Sequence, residues 1–156
     1  MKKTLKLTES QLEQLIKSKL REQEELDMDV EETGESSTGM DVMASHLLFS
    51  QTQAHVFHLQ TGSYAEHKAL QGYYEGIDDL VDSLIESYQG ENENITNYET
   101  FPMRKYEGKE SVIEYFNELM EVVENNREGL PSHLQNIVDT IIELITSTLY
   151  KLKKLS

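Results

Sequence analysis

Cysteine and tryptophan are missing from this 156-residue sequence, and proline occurs only twice. Without cysteine no disulfide can hold the fold, and a cytoplasmic location is the simplest expectation. Two prolines and eight glycines interrupt the chain too rarely for a turn-rich β fold. Long helices are expected instead. No apolar run approaches the roughly 20 residues that a membrane span needs. The opening Met1-Lys2-Lys3 is basic, but Glu9 and Gln11 stand where a signal peptide would carry its apolar stretch, so no secretory leader is expected. The length suits a single domain with a substantial core.

Positive charge is also scarce. There are 14 Lys and Arg against 29 Asp and Glu, a formal net charge of -15. The imbalance is uneven. Residues 1–21 carry six bases and two acids, whereas residues 22–103 carry 18 acids and the single base Lys68. A body this acidic repels nucleic-acid phosphates and attracts cations. DNA is therefore not an expected partner.

Local signals divide the chain. Leu7-Thr8-Glu9-Ser10-Gln11-Leu12 reads as a helix start, with Thr8 and Gln11 as a capping box and Leu7 and Leu12 as a hydrophobic staple. The apolar face Leu12, Leu15, Ile16 and Leu20 follows, and then an acidic, Ser- and Gly-rich stretch that reads as a solvated linker. Residues 1–39 are thus expected to form an amphipathic arm and tether, and residues 40–156 a bundle. Helical periodicity predicts helices over about 40–60, 64–88, 110–126 and 132–154. The last is predicted to open on a second capping box, Ser132 with Gln135. A 20-residue connection, Gln89 to Gly108, holds Tyr98, Phe101 and Tyr106 as apolar anchors. Two hairpins joined by one long crossover make an all-α, ferritin-like four-helix bundle.

The residues able to carry chemistry crowd into 46–86. Four of the five histidines lie there, His46, His55, His58 and His67, followed by Asp78, Asp82 and Glu86 at four-residue intervals on one helical face. Imidazole with carboxylate is a ligand set for iron or zinc rather than magnesium or calcium. His58 precedes Gly62 by four residues and His67 follows it by five, so the two rings stand at similar heights on antiparallel helices. His55, one turn earlier, is the alternative. Asp82 is 15 residues past His67, which is roughly 22 Å along the same helix. One chain cannot bring both to one ion, so a shared site requires two subunits. His46 and Asp78 stand level across the hairpin and offer a competing site within one chain.

The run Gln53 to Gly62, with His67, Asp82 and Glu86, resembles the ferroxidase motif of the Dps mini-ferritins within the ferritin-like superfamily. That pattern has a histidine before a glycine turn, a second histidine, an aspartate 15 residues on and a glutamate four further. The tryptophan that follows the first histidine in the family is Leu59 here. The likeness implies Fe(II) oxidation by hydrogen peroxide or oxygen. His58 or His55, with His67, would bind one iron. Asp82 and Glu86 would come from the two-fold mate, with Glu86 bridging to a second iron. It also implies a homodimer or a larger cage. The opening Lys2 to Glu9 is similar to openings of proteins encoded by tailed bacteriophages, which implies host cytoplasm or virion. The rival expectation is a non-catalytic interaction protein on the same bundle, its arm docking to a phage or host partner.

Overall fold

Apolar residues recur every three or four positions through four segments, and each forms a helix in the computed structural model, which describes residues 39–155. These are α1 (Gly39–Gln60), α2 (Tyr64–Gln89), α3 (Lys109–Arg127) and α4 (Ser132–Lys154). There is no strand among the described residues. The expected arm, with its Thr8/Gln11 cap and acidic tether, lies outside them. No helix among the described residues is long and apolar enough to cross a membrane.

The helices form a ring in which α1 packs on α2 and α3, and α4 packs on the same two. α4 shows the plainest patterning. Leu134, Val138, Ile141, Ile145, Leu149 and Leu152 form one buried stripe at helical spacing. α1 differs, because its buried residues include Ser45, Ser50, Gln53 and His58 beside Leu47, Ala54 and Phe57. Three neighbours cover it: α2, α3 and the connection between the hairpins. At the centre Ser50 Oγ and the Tyr73 hydroxyl lie 2.7 Å apart, a buried polar pair between α1 and α2. Burial pushes the Tyr73 hydroxyl well above the usual phenol range.

The connection fixes the topology. It leaves α2 with the Ile95 amide donating to Gln89 Oε1 at 2.9 Å, and Ile95 itself is buried. It then climbs α1 in order. The Glu99 amide donates to Ser45 Oγ (2.9 Å), and Phe101 packs on His46 and Phe49. Gln53 holds the Arg104 main chain at both its N–H and its C=O (2.7 and 3.1 Å). Finally the Tyr106 amide donates to Gln60 Oε1 at 3.2 Å. From Glu99 to Tyr106 the crossover thus runs parallel to α1 between Ser45 and Gln60, and it delivers α3 antiparallel to α1. Of the three expected aromatic anchors, Phe101 and Tyr106 serve; Tyr98 remains exposed.

The second capping box does not form. Pro131 takes the cap position, and its extended ψ of 148° starts the helix at Ser132. Gln135 then donates through Nε2 to Leu130 O at 2.9 Å instead of reaching back to the cap amide. The side-chain cap is at α2, where Ser63 Oγ accepts from the Glu66 amide at 3.4 Å.

Candidate metal centre

The α1–α2 turn is built by Thr61, Gly62 and Ser63. Thr61 Oγ1 accepts from the Ser63 amide at 3.1 Å, and the Thr61 amide closes α1 on Phe57 O at 2.9 Å. Glu66, nearly fully buried, turns its carboxylate onto Thr61 Oγ1 (2.7 Å) and the Tyr106 hydroxyl (2.8 Å). The turn, the first coil of α2 and the end of the crossover are locked together by that one carboxylate. On the Tyr106 hydroxyl, the Thr61 hydrogen bond pulls the pKa down, while burial and Glu66 raise it to a net position above the usual value.

This frame places His58 and His67 face to face. Their rings stack with centroids 3.6 Å apart and planes 26° apart. His58 Nδ1 is 2.9 Å from His67 O, and His67 Nδ1 is 3.2 Å from His58 O. A carbonyl oxygen only accepts, so each Nδ1 carries the proton and donates. In the tautomer with Nδ1–H the lone pair of each ring is on Nε2, the arrangement that prepares an imidazole as a ligand. His58 is mostly buried. No described buried side-chain nitrogen or oxygen lacks a partner. His67 borders a depression of about 280 Å³ with Thr61, Gly62, Ser63 and Tyr64.

His55 is exposed, with its ring stacked on Tyr74 at 4.4 Å and 5.8 Å from that of His58. The packing therefore sets His58, not His55, against His67. Tyr74 also meets the His58 ring edge-on at 5.2 Å. Sequence reading missed it, although Tyr74 follows His67 by seven residues and so lies on the same helical face.

Asp82 and Glu86 are exposed further along α2. Asp82 lines a depression of about 310 Å³ with Asp78, Asp79, Leu48 and Ile85. The histidines and the carboxylates thus occupy separate heights of the hairpin. Among the described residues no group of three or more His, Asp or Glu within one chain is placed to hold a metal ion. His46 packs its ring on Phe101 at 4.3 Å, while Asp78 faces the depression beside Leu48. Burial holds the His46 pKa below its usual value, with Glu99 opposing and Arg104 adding to the shift.

Residues 58–152 match a protein family described as a family of unknown function (DUF5856). The chain belongs to that family. The matched span includes His58, His67, Asp82 and Glu86. No curated protein and no solved structure matches the chain.

Proposed function

We propose that the protein is a Dps-like mini-ferritin that binds and oxidises Fe(II) at sites shared between two subunits and retains the ferric product. The observation that carries this reading is the His58/His67 pair, whose Nδ1 atoms are both committed to main-chain carbonyls. Both Nε2 lone pairs are left for Fe(II), the substrate. The crossover running along α1 between two antiparallel hairpins supports the ferritin-like assignment. Asp82 and Glu86, on the same helix but far from the pair, would serve the partner subunit's histidines in a two-fold dimer or a larger cage. As stacked, the two lone pairs lie in planes only 26° apart and do not meet at one ion. Loading iron therefore unstacks the rings. Each Fe(II) then gives up one electron; hydrogen peroxide takes two electrons and two protons and leaves as water, and oxygen is the alternative acceptor. The same stacked geometry favours a second reading, a non-catalytic interaction bundle in which the pair only ties α1 to α2.

Fe(II) oxidation under oxygen or peroxide decides between them: a rate equal to buffer removes the enzyme reading. The shared site is tested by co-assembly. His67→Ala and Asp82→Ala homodimers should each lose both sites. A mixed dimer gathers both lesions into one site and leaves the other intact, so activity should return to about half the native rate per dimer. Verified mixed dimers without recovery would overturn the shared site.

A further inference from the structure

The linear charge map hides a segregation that folding produces. The bundle end bearing the α1–α2 turn also receives the end of the crossover, the start of α3 and the end of α4. The Tyr106 amide reaches Gln60, and Lys151 Nζ comes within 3.9 Å of where a side chain at Gly72 would begin. The segments meeting here are residues 59–72, 104–112 and 148–155. They hold seven bases and three acids, while all other described residues hold one base, Arg127, and 16 acids. One acid of the three, Glu66, is buried and consumed by Thr61 and Tyr106, and one base of the seven, Arg104, is paired with Glu118 of α3. Exposed apolar side chains gather at the same end: Leu59 (71% exposed), Tyr64 (78%), Tyr150 (58%) and Leu155 (59%). Exposed apolar side chains beside lysines offer contacts to a partner that carries both negative charge and apolar groups.

We propose that this end of the bundle is a docking surface for a short acidic peptide segment with interspersed apolar side chains. The inference does not depend on the iron reading. Charge complementarity selects an anionic partner, because Lys68, Lys105, Lys153 and Lys154 are exposed here and Lys109 and Lys151 half-buried. The acidic body selects a small one. Screening reaches only about 8–10 Å at physiological salt. A nucleic-acid duplex or a bilayer extends well beyond the patch and meets the acids behind it, whereas a peptide ends inside it. Leu59, Tyr64 and Leu155 give its apolar side chains partners that phosphates would not use.

The test is fluorescence anisotropy with the full chain and a labelled peptide alternating leucine with glutamate. Saturable binding that weakens with salt is expected, and a leucine–lysine peptide should not bind. Reversing Lys151, Lys153 and Lys154 to Glu should weaken binding by roughly tenfold or more, as steering charges do. Lys105→Glu with Lys109→Glu should do the same from the other side of the patch without touching the α4 terminus. Leu59→Ser with Tyr64→Ser should weaken binding while leaving its salt dependence unchanged; Arg127→Glu, at the far end, should leave it alone. Helical circular dichroism verifies that each variant is folded. No binding of the acidic peptide overturns the proposal, as does loss of binding in none of the patch variants. It is also overturned if a DNA duplex, or vesicles containing phosphatidylserine, bind more tightly than the peptide and lose binding in the same variants.

Discussion

The two ends of the bundle are made differently. At the turn end the chain spends polar groups on itself: Glu66 joins Thr61 to Tyr106, and the His58/His67 pair exchanges ring N–H for carbonyl contacts across the hairpin. The far end is simpler. Gly39 sits against Asn126, where a side chain would clash at 2.3 Å, and an exposed Arg127–Asp139 ion pair crosses the α3–α4 hairpin (2.5 and 2.8 Å). Base and exposed apolar surface gather at the first end, acid everywhere else. Satisfied polar networks hold a surface in one shape. Both candidate functions therefore fall on the end with the fixed framework.

The largest effect expected at the turn end separates its core from its surface. Phe57 is fully buried, with Tyr106 and Tyr115 edge-on to its ring. Phe57→Ala should cost about 3–5 kcal/mol in urea unfolding, from lost transfer energy and the cavity left behind. Leu59→Ala and Tyr64→Ala, two to seven residues away, should change stability by less than about 0.5 kcal/mol. If either exposed substitution costs as much as the buried one, these side chains serve the fold and the contrast between the ends collapses.

A smaller loss is expected from the carboxylate that ties the turn. Glu66→Ala removes the acceptor shared by the Thr61 and Tyr106 hydroxyls, leaving them their 3.3 Å contact with each other and the Ser63 amide, and should lower stability by about 1–3 kcal/mol. Asp139→Ala at the far end removes an ion pair in full solvent and should not move the unfolding midpoint measurably. Hydrogen exchange sharpens the comparison further. In Glu66→Ala the amides of residues 61–67 should lose protection while those around Asn126 keep theirs. Equal loss at both ends would mean that Glu66 stabilises the bundle as a whole.

The helices were legible because their apolar spacing is repeated over five turns or more, and the His58/His67 juxtaposition followed from counting outward from Gly62. Caps were less so. Ser132 and Gln135 satisfy the same sequence rule as Ser63 and Glu66, yet Pro131 in an extended conformation displaces the first pair. Glu66 in turn prefers Tyr106, 40 residues away, to the amide that a capping box would offer it. The basic end was invisible because its charges come from three separate segments, each unremarkable in a running sum. Asp82 and Glu86 sit where spacing puts them, exposed on α2 and apart from the histidine pair.

The smallest effect concerns the histidine nearer the far end. His46 packs at a tilt on Phe101 in a partly buried setting, flanked by Glu99 and Arg104, and burial is the main reason its pKa lies below 6.5. The folded state therefore resists the proton that the unfolded chain accepts. The contribution is fully present above about pH 6.5 and is lost as pH falls from there toward the folded-state value. Stability should decline across this window more steeply in the native chain than in His46→Phe, which keeps the aromatic contact and cannot titrate. The comparison is of slopes, so a constant offset from the larger ring does not matter. Chemical unfolding at a series of pH values from about 5 to 7.5 spans the window on both sides of the unfolded pKa. A slope unchanged by His46→Phe would mean that His46 takes up its proton equally in both states. The crossover would then shield its ring less than the contact with Phe101 implies.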